Sequence, residues 1–376
     1  MSGVVFLLGN LTDGGSETKT VKLANRLSNT GTKVHLIYLG APHTLRSTIE
    51  DNVAVEFLDR RGKFSFRALR RLKAYVISND IESIFCVNLY PLIYGWPVCR
   101  LAAGRRRCIA AMNTYEFSTL RDRFFMLIYG FILRKCELVI FGSRAQQQLW
   151  THKYRLRQDA NVVIYNGVDA EHFRNSRAAS EVSRASLGVD EDAIVFGCVA
   201  HLRAEKSHRD LLAAMKLLTD QSGRNVVLLL VGDGPEEQEL RRYTATHDLS
   251  ECVKFCGGVR DVRPYLEMTD IFVLPSSTEV FSNAILEAMS VGLPIVCTAV
   301  GGSVEMVVNG ETGITYPRHD VNSLVDALRT LMIDNDKRKE FGRQGAARAR
   351  EVFSIERMDD QYAKIISGSS NETDLD

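Results

Sequence analysis

The sequence predicts an α/β protein with two doubly wound, Rossmann-like parallel-sheet domains. The chain has 376 residues, more than one ordinary hydrophobic core serves and enough for two. Short apolar runs without polar alternation recur along it, as in parallel strands that are covered on both faces. Segments with apolar residues three and four apart lie between these runs, so strands and helices alternate twice over.

The predicted strands fall into two series along the chain. In order, they span residues 4–8, 34–39, 83–87, 108–112 and 138–141, and then residues 194–199, 226–231, 271–274 and 295–298. The intervening helices show a single apolar stripe, for example that of Leu211, Leu212, Met215 and Leu218. A polar, Ala- and Ser-rich stretch at residues 166–184 separates the two series, and we place the domain break there.

The two halves of the chain carry opposite charge. Residues 1–160 contain 24 Lys and Arg against 12 Asp and Glu, which leaves 23 against 34 for the remainder. The excess is concentrated in two clusters, one at residues 60–73 and one at residues 105–107. A basic face attracts an anionic membrane surface, a phosphorylated substrate or nucleic acid, although each cluster alone is equally well explained as a solvated helix face.

The eight cysteines are scattered, mostly within apolar runs, and form no C-x-x-C pair. They are typical of buried thiols in a reducing compartment, which favours a cytoplasmic protein. The amino terminus lacks the basic region of a signal peptide. The longest apolar stretch, residues 124–133, has about half the roughly 20 residues that a membrane span needs. We interpret it as a buried helix or as a face that contacts a membrane.

Ligands of doubly wound domains bind beyond the carboxyl ends of the strands, so the loops that follow strands are the candidate sites. The first such loop, residues 9–16, contains Gly14 and Gly15 and opens a helix whose free N–H groups suit a phosphate. It matches neither the dinucleotide fingerprint nor the P-loop. A plain strand-to-helix turn explains this loop equally well.

The second loop, residues 200–206, places cationic side chains after the first strand of the second domain. Arg203 and Lys206 are three residues apart on an incipient turn. Arg offers bidentate hydrogen bonds and Lys a point charge, so together they suit a diphosphate. The alternative is a surface ion pair with Glu205.

The third loop and the helix after it, residues 275–289, are the most informative. Ser282 is a predicted N-cap for a helix that begins at Asn283, which puts Glu279 in the loop and Glu287 one turn inside the helix. Helix N–H groups suit phosphate or sugar oxygens, and carboxylates suit vicinal hydroxyls of ribose or hexose. Either glutamate taken alone is more typical of the protein surface.

These residues resemble a known family. Glu279 and Glu287, with seven residues between them, are similar to the E-x7-E motif of the family 4 glycosyltransferases. Other landmarks of that family match in order and spacing across residues 160–330, and the match is softer in the first domain. The landmarks within residues 160–330 are Asn166-Gly-Val-Asp169, Val231-Gly-Asp-Gly-Pro235, Phe255-Cys-Gly-Gly-Val259, Val300-Gly-Gly-Ser-Val-Glu305 and Asn309-Gly-Glu-Thr-Gly313. In the first domain the matching residues are Gly14-Gly15-Ser-Glu17.

The resemblance implies the GT-B fold, in which two Rossmann-like domains face each other across a cleft. The expected boundaries are an acceptor-binding domain at residues 1–165, a nucleotide-sugar-binding domain at 166–352, a crossover helix at 353–367 that returns to the first domain, and a disordered tail at 368–376. It further implies a retaining glycosyltransferase that moves a hexose from a UDP- or GDP-sugar without a metal or other cofactor.

The resemblance also assigns roles to individual residues. Glu287 would hold the ribose hydroxyls, Glu279 the donor sugar, and Lys206 the diphosphate. The family's paired arginine falls at His201, and we expect Arg203 to take its place. A second departure lies at Met112–Asn113, where many members have a histidine. The remaining expected donor contacts are the backbone of Val280, Phe281, Ser282 and Asn283, the base contacts Gly258, Val259 and Arg260, and Gly14 and Gly15.

We expect a lipid-linked or growing glycan as acceptor, with the basic first domain peripheral on the inner face of the cytoplasmic membrane. A non-catalytic nucleotide-sugar-binding or assembly subunit is the alternative from another class, and an epimerase or phosphorylase on the same fold is a further one. An NAD-dependent dehydrogenase lacks its glycine fingerprint, and nucleic-acid binding lacks a recognisable module.

Overall fold

The computed structural model describes residues 3–12, 14–115, 120–174, 182–222 and 225–368. The chain divides into two compact units, the first formed by Met1–Tyr165 with Met358–Asp376 and the second by Asn166–Arg357. Both units are parallel sheets with helices between successive strands, so the prediction of two doubly wound α/β domains is confirmed. Most of the tail expected to be disordered, residues 369–376, lies outside the described residues.

The first unit contains a seven-stranded parallel sheet in the order β3-β2-β1-β4-β5-β6-β7. Its strands are β1 (Gly3–Leu8), β2 (Val34–Tyr38), β3 (Ala54–Phe57), β4 (Ile81–Val87), β5 (Arg107–Met112), β6 (Leu138–Phe141) and β7 (Asn161–Val163). Its helices are α1 (Gly15–Asn29), α2 (Phe66–Ser78), α3 (Leu89–Leu101), α4 (Leu120–Leu133) and α5 (Arg144–Tyr154).

The second unit contains a six-stranded parallel sheet in the order β10-β9-β8-β11-β12-β13. Its strands are β8 (Ile194–Val199), β9 (Val226–Val231), β10 (Val253–Gly257), β11 (Ile271–Leu274), β12 (Ile295–Thr298) and β13 (Gly313–Tyr316). Its helices are α6 (Ala170–Arg174), α7 (His208–Ser222), α8 (Glu237–Thr246), α9 (Arg263–Glu267), α10 (Asn283–Ser290), α11 (Ser303–Met306), α12 (Val321–Ile333) and α13 (Asn335–Val352).

The central strands form because their side chains are apolar on both faces. All six residues of β1 and all six of β9 are buried, which fits strands that are covered by helices on each side. The predicted stripe on α7 is likewise buried, since Leu211, Leu212, Met215 and Leu218 are inaccessible to solvent. No helix within the described residues is long and apolar enough to cross a bilayer.

The last helix, α14 (Ile355–Ser367), packs in the first unit from Met358 onward. Arg26 on α1 donates to both carboxylate oxygens of Asp359 at 2.5 and 2.9 Å. Arg107 donates to the carbonyl oxygen of Ile365, and the ring of Tyr362 lies 6.2 Å from that of Phe85. A bidentate ion pair and a buried aromatic contact therefore fix this helix on the first sheet.

The cysteines are free thiols in the described structure. Six are buried, and Cys252 and Cys256 are half-buried. Burial raises the pKa of Cys198 and Cys297 to about 12 and that of Cys256 to about 11. These three side chains are therefore protonated at neutral pH, and their thiolates are too scarce for nucleophilic chemistry.

Helix α13 lies directly against the turn that ends α10. A Cβ atom placed on Gly342 would be 1.9 Å from the carbonyl oxygen of Gly292, whereas one on Gly345 would have no neighbour closer than 3.7 Å. We expect Gly342→Ala to destabilise the protein by about 1–2 kcal/mol net, because overpacking outweighs the gain in helix propensity. Gly345→Ala is the matched control and should be neutral or stabilising. Urea unfolding of both variants measures this, and equal stabilities would contradict the close packing.

Candidate functional site

The second sheet changes direction between β8 and β11. The chain runs from β8 to β9 on one side and from β11 to β12 on the other, so the loops that follow β8 and β11 diverge at the carboxyl edge. Such a topological switch point leaves a crevice in which ligands of open α/β sheets bind. The loops at this point are residues 200–206 and 275–282, two of the three that the sequence singles out.

Lys206 and Glu279 meet across these two loops. The Lys206 Nζ atom lies 2.5 Å from Glu279 Oε1, and Ser276 Oγ donates to the same carboxylate oxygen at 2.8 Å. Glu279 is only 8% exposed. A buried carboxylate is stable when an opposite charge and hydrogen bonds compensate it, so this ion pair is a fixed feature of the site.

Backbone contacts hold the two loops in this arrangement. The amide of Ser277 donates to the carbonyl oxygen of Glu205 at 2.8 Å, and the Ser277 hydroxyl donates to the same oxygen at 3.1 Å. The amide of Gly302, in the loop after β12, donates to the Glu279 carbonyl oxygen at 3.3 Å. Three neighbouring loops therefore position one lysine and one glutamate.

Helix α10 begins as its sequence predicts. Ser282 is the N-cap, and its hydroxyl oxygen accepts from the amide of Ile285, so the predicted cap is confirmed. Asn166 donates from Nδ2 to Asn283 Oδ1 at 2.9 Å, which packs the Asn166–Asp169 loop against the helix start. Glu287 lies half-buried on the second turn. The amides of the first turn point beyond the helix start, where an anion or a sugar oxygen is favoured.

The two basic candidates in the 200–206 loop differ in their contacts. His201 Nδ1 lies 3.3 Å from Asp233 Oδ1 in the loop after β9. Arg203 is exposed, and its guanidinium makes no hydrogen bond or ion pair with the described residues. His201 therefore lies beside a carboxylate, while the Arg203 guanidinium is open to solvent.

The candidate base-contact residues, Gly258 to Arg260, begin beside Asp233, the partner of His201. A Cβ atom on Gly258 would lie 2.4 Å from Asp233 Oδ2, so the glycine permits close approach of two loops. Val259 packs in a small apolar cluster, and Arg260 is exposed. Phe281 is buried with its ring edge against Phe353, and Val280 is half-buried beside it. The structure thus brings the sequence-predicted residues of the second unit to one edge of its sheet.

The first unit has a separate polar cluster at the carboxyl edge of its sheet. Lys19 donates to Asn113 Oδ1 at 2.9 Å, and Asn88 donates to Ser16 Oγ at 3.2 Å. The Asn113 amide donates to Asn88 Oδ1 at 3.2 Å, and burial lowers the pKa of Lys19 to about 8. Gly14 is the N-cap of α1, with Gly15 as its first residue.

Sequence reasoning missed two members of that cluster, Asn88 and Lys19. Asn88 follows β4 and Asn113 follows β5, the position where the family departure was noted, while Ser16 and Lys19 lie on the first turns of α1. Asn88 has φ 67° and ψ 178°, a backbone conformation that non-glycine residues adopt only under constraint. Polar residues after each central strand were a signal that could have identified Asn88.

His208 begins α7 immediately behind Lys206. It is 3% exposed, and neither ring nitrogen has a hydrogen-bond partner among the described residues. Burial, with a smaller contribution from the Lys206 charge, lowers its pKa from 6.5 to about 4. The imidazole is therefore neutral in the folded protein at pH 7.

This burial makes stability depend on pH. Below pH 6.5 the unfolded chain protonates His208 and the folded protein does not. The free energy of unfolding therefore falls by about 1.4 kcal/mol for each unit by which the pH is lowered, from pH 6.5 to about 4. We expect His208→Leu to remove this part of the acid slope in urea unfolding measured across that range. The control is His152→Leu at an exposed position. An unchanged slope in His208→Leu would show that the folded protein protonates this residue.

Two protein families match consecutive parts of the chain. Residues 13–172 match the family described as Glycosyltransferase Family 4, and residues 179–348 match the one described as Glycosyl transferases group 1. The first match covers six of the seven strands of the first sheet, from β2 to β7. The second contains every sequence-predicted site residue of the second unit.

Curated relatives extend this similarity over most of the chain. N-acetyl-alpha-D-glucosaminyl L-malate synthase of Bacillus anthracis is 29% identical over 361 residues, covering 94% of this chain and 93% of the relative. The lipopolysaccharide core biosynthesis mannosyltransferase LpsB of Rhizobium meliloti (strain 1021) is 30% identical over 248 residues, 60% of this chain and 70% of the relative.

A solved structure has the same fold. The crystal structure of Anabaena HepE in complex with UDP superimposes with a TM-score of 0.87 at 22% identity, covering 98% of this chain and 100% of that one. At this identity the likeness concerns the fold alone. The fold expected from the sequence is therefore supported by an independent structure.

Proposed function

This chain belongs to family 4 of the glycosyltransferases, and we propose that it transfers a hexose from a UDP- or GDP-sugar to a lipid-linked or polysaccharide acceptor, with retention and without a metal ion. The observation that carries the proposal is the ion pair between the half-buried Lys206 and the buried Glu279 at the switch point of the second sheet, next to the amino terminus of α10. This arrangement offers a cation, a carboxylate and helix amides to one ligand.

Each group suits one part of a nucleotide sugar. Glu287 accepts hydrogen bonds from the ribose hydroxyls, and the amides at the start of α10 receive the distal phosphate. Glu279 accepts from the sugar hydroxyls with the carboxylate oxygen that Lys206 and Ser276 leave available. The base lies along Gly258–Arg260. The HepE structure contains UDP, which supports a nucleotide-sugar donor for this chain.

The chemistry follows from where charge develops. As the anomeric C–O bond breaks, negative charge accumulates on the diphosphate, and preorganised cations stabilise that transition state. Lys206 and Arg203 supply the cations. In the proposed step the acceptor oxygen forms its bond to C1 on the face from which the diphosphate departs, and the acceptor proton passes to a diphosphate oxygen. A covalent glycosyl-enzyme intermediate trapped by mass spectrometry would contradict this step.

The proposed metal independence rests on the same two side chains. A lysine and an arginine at the diphosphate perform the charge neutralisation that Mg²⁺ performs in other transferases. Activity should therefore persist in EDTA. A transfer rate that is lost in EDTA and restored by Mg²⁺ or Mn²⁺ would contradict this part of the proposal.

The acceptor is assigned to the first unit. The basic excess of residues 1–160 and the polar cluster around Lys19 and Asn113 support an acceptor with anionic groups or hydroxyls. A glycan carried on a lipid diphosphate has both. To reach such an acceptor, the proposed enzyme binds peripherally to the inner face of the cytoplasmic membrane.

The direct test is donor consumption. The purified protein is incubated with UDP-glucose, UDP-galactose, UDP-N-acetylglucosamine or GDP-mannose, with and without lipid extract, and released UDP or GDP is measured. We expect one donor to be consumed faster when extract is present, and the product anomer to match that of the donor. Nucleotide binding without consumption of any donor would favour the alternative of a non-catalytic binding subunit, and conversion of the donor sugar alone would favour an epimerase.

A further inference from the structure

Helix α4 has large apolar side chains on its water-facing side. Leu127 is 69% exposed, Ile128 52% and Phe131 48%. Phe131 lies four residues after Leu127 and three after Ile128, so the three side chains share one side of the helix. Met126 and Leu133, which lie on the other side of the helix, are buried.

This pattern differs from that of an ordinary surface helix. A helix that packs on a sheet is apolar on the packed side and polar on the side toward water. One that is apolar all round is covered on every side. The sequence allowed two interpretations of residues 124–133, a buried helix or a face that contacts a membrane. One side of α4 is buried. The other side presents exposed apolar side chains of the kind that mark an interaction surface.

Aromatic contacts link α4 to α3, and α3 to the start of α2. Phe131 lies 6.1 Å from the half-buried Trp96 on α3, measured between ring centroids. At the start of α2, Phe64 stacks on Tyr94 of α3 at 5.1 Å and contacts the exposed Phe66 at 5.0 Å. Helix α3 therefore contacts α4 through Trp96 and the segment at the start of α2 through Tyr94. Among the exposed and half-buried apolar side chains of these three segments, we define as the apolar face Phe64, Phe66, Trp96, Leu127, Ile128 and Phe131.

Exposed cations lie in the chain segments that carry the apolar face. Helices α2 and α3 contain no Asp or Glu. Exposed basic side chains lie beside Phe64 and Phe66 and at the carboxyl ends of α3 and α4: Arg61, Lys63, Arg67, Arg70, Arg100, Arg134 and Lys135. Exposed apolar and aromatic residues flanked by Lys and Arg are the composition of surfaces that enter the interface of an anionic bilayer.

We infer that the apolar face inserts into the headgroup and upper acyl region of an anionic lipid bilayer, with the cations of the same segments at the lipid phosphates. The inference deepens and rests on the proposed function, since a lipid-linked acceptor lies in that bilayer. It adds a specific contact surface to the general attraction that the basic charge provides. Charge alone gives binding that high salt abolishes, whereas inserted side chains leave a salt-resistant component.

The test uses vesicles of phosphatidylcholine with and without phosphatidylglycerol. We expect Leu127→Asp/Ile128→Asp to lower the partition coefficient for anionic vesicles about 100-fold, roughly tenfold for each side chain withdrawn from lipid. The matched control is Val304→Asp/Ile333→Asp in the second unit, where both residues are similarly exposed at 49% and 62%. The control should bind like the unmodified protein.

Insertion has its own spectroscopic signal. The chain has two tryptophans, and Trp150 is 1% exposed, so quenching by bromine-labelled acyl chains reports Trp96. We expect quenching that persists in high salt and disappears in Trp96→Phe. Wild-type vesicle binding by Leu127→Asp/Ile128→Asp, or an unquenched Trp96 in bound protein, would overturn the inference. Self-association would also overturn it. If sedimentation velocity shows an oligomer that Leu127→Asp/Ile128→Asp converts to a monomer, a second copy of the chain covers the apolar face.

The outcome is separable from that of the proposed function. Nucleotide binding by Leu127→Asp/Ile128→Asp should equal that of the unmodified protein, since α4 contains none of the residues that we assign to the donor. Failure of donor binding in both proteins would overturn the proposed function. Failure of lipid insertion with intact donor binding would overturn this inference alone.

Discussion

Lys206→Ala is expected to lower the turnover of donor sugar about 100- to 1,000-fold, the usual effect of removing one preorganised group that stabilises transition-state charge. The substitution removes the cation that lies nearest Glu279 and, in the proposed mechanism, the one that faces the departing diphosphate. The measurement is the steady-state rate of UDP or GDP release. Because the charge develops during bond breaking, kcat should fall more than the affinity for the donor.

A folding defect has to be separated from this effect. Lys206→Ala leaves the buried Glu279 carboxylate with only Ser276 as a side-chain partner among the described residues, which itself destabilises the loop. The double variant Lys206→Met/Glu279→Gln removes both charges and should restore stability without activity. Lys216→Ala, at a cation paired with Asp220 on α7, is the matched control and should retain turnover. A Lys206→Ala enzyme with wild-type turnover would contradict the assignment.

Glu287→Ala is expected to weaken the binding of free UDP or GDP about 10- to 100-fold, since two hydrogen bonds from ribose hydroxyls to a carboxylate are lost. Titration calorimetry with the nucleotide measures this directly. Glu351→Gln, at an exposed glutamate on α13, controls for the change in net charge.

The two glutamates should differ in a diagnostic way. Glu279 is assigned to the sugar, so Glu279→Gln should reduce affinity for the nucleotide sugar and leave affinity for the free nucleotide nearly unchanged. Glu287→Ala should reduce both. If the two variants behave alike, their separate assignments to sugar and ribose are wrong.

The sequence predicted the interior of both sheets and missed their margins. The four unpredicted strands are β3, β7, β10 and β13, and each lies at the edge of its sheet. Their residues are mostly half-buried, because an edge strand is covered less completely than a central one. A search for continuous apolar runs finds strands that are buried on both faces and overlooks these.

Sequence reasoning named the residues of the candidate site but not their pairings. Spacing placed Glu279 in a loop and Ser282 at a cap because both depend on nearest neighbours in the chain. The contact between Lys206 and Glu279 joins residues 73 positions apart, and the one between Lys19 and Asn113 joins residues 94 apart. These pairs depend on strand order, which local patterns do not determine.

The most direct test of the account is calorimetric titration of the unmodified protein, Lys206→Ala and Glu287→Ala with UDP and with GDP. The account predicts that one of the two nucleotides binds the unmodified protein in a 1:1 complex and binds both variants much more weakly, because the donor site is the Lys206–Glu279–Glu287 edge of the second sheet. Absence of binding by either nucleotide, or equal affinity in all three proteins, would contradict it.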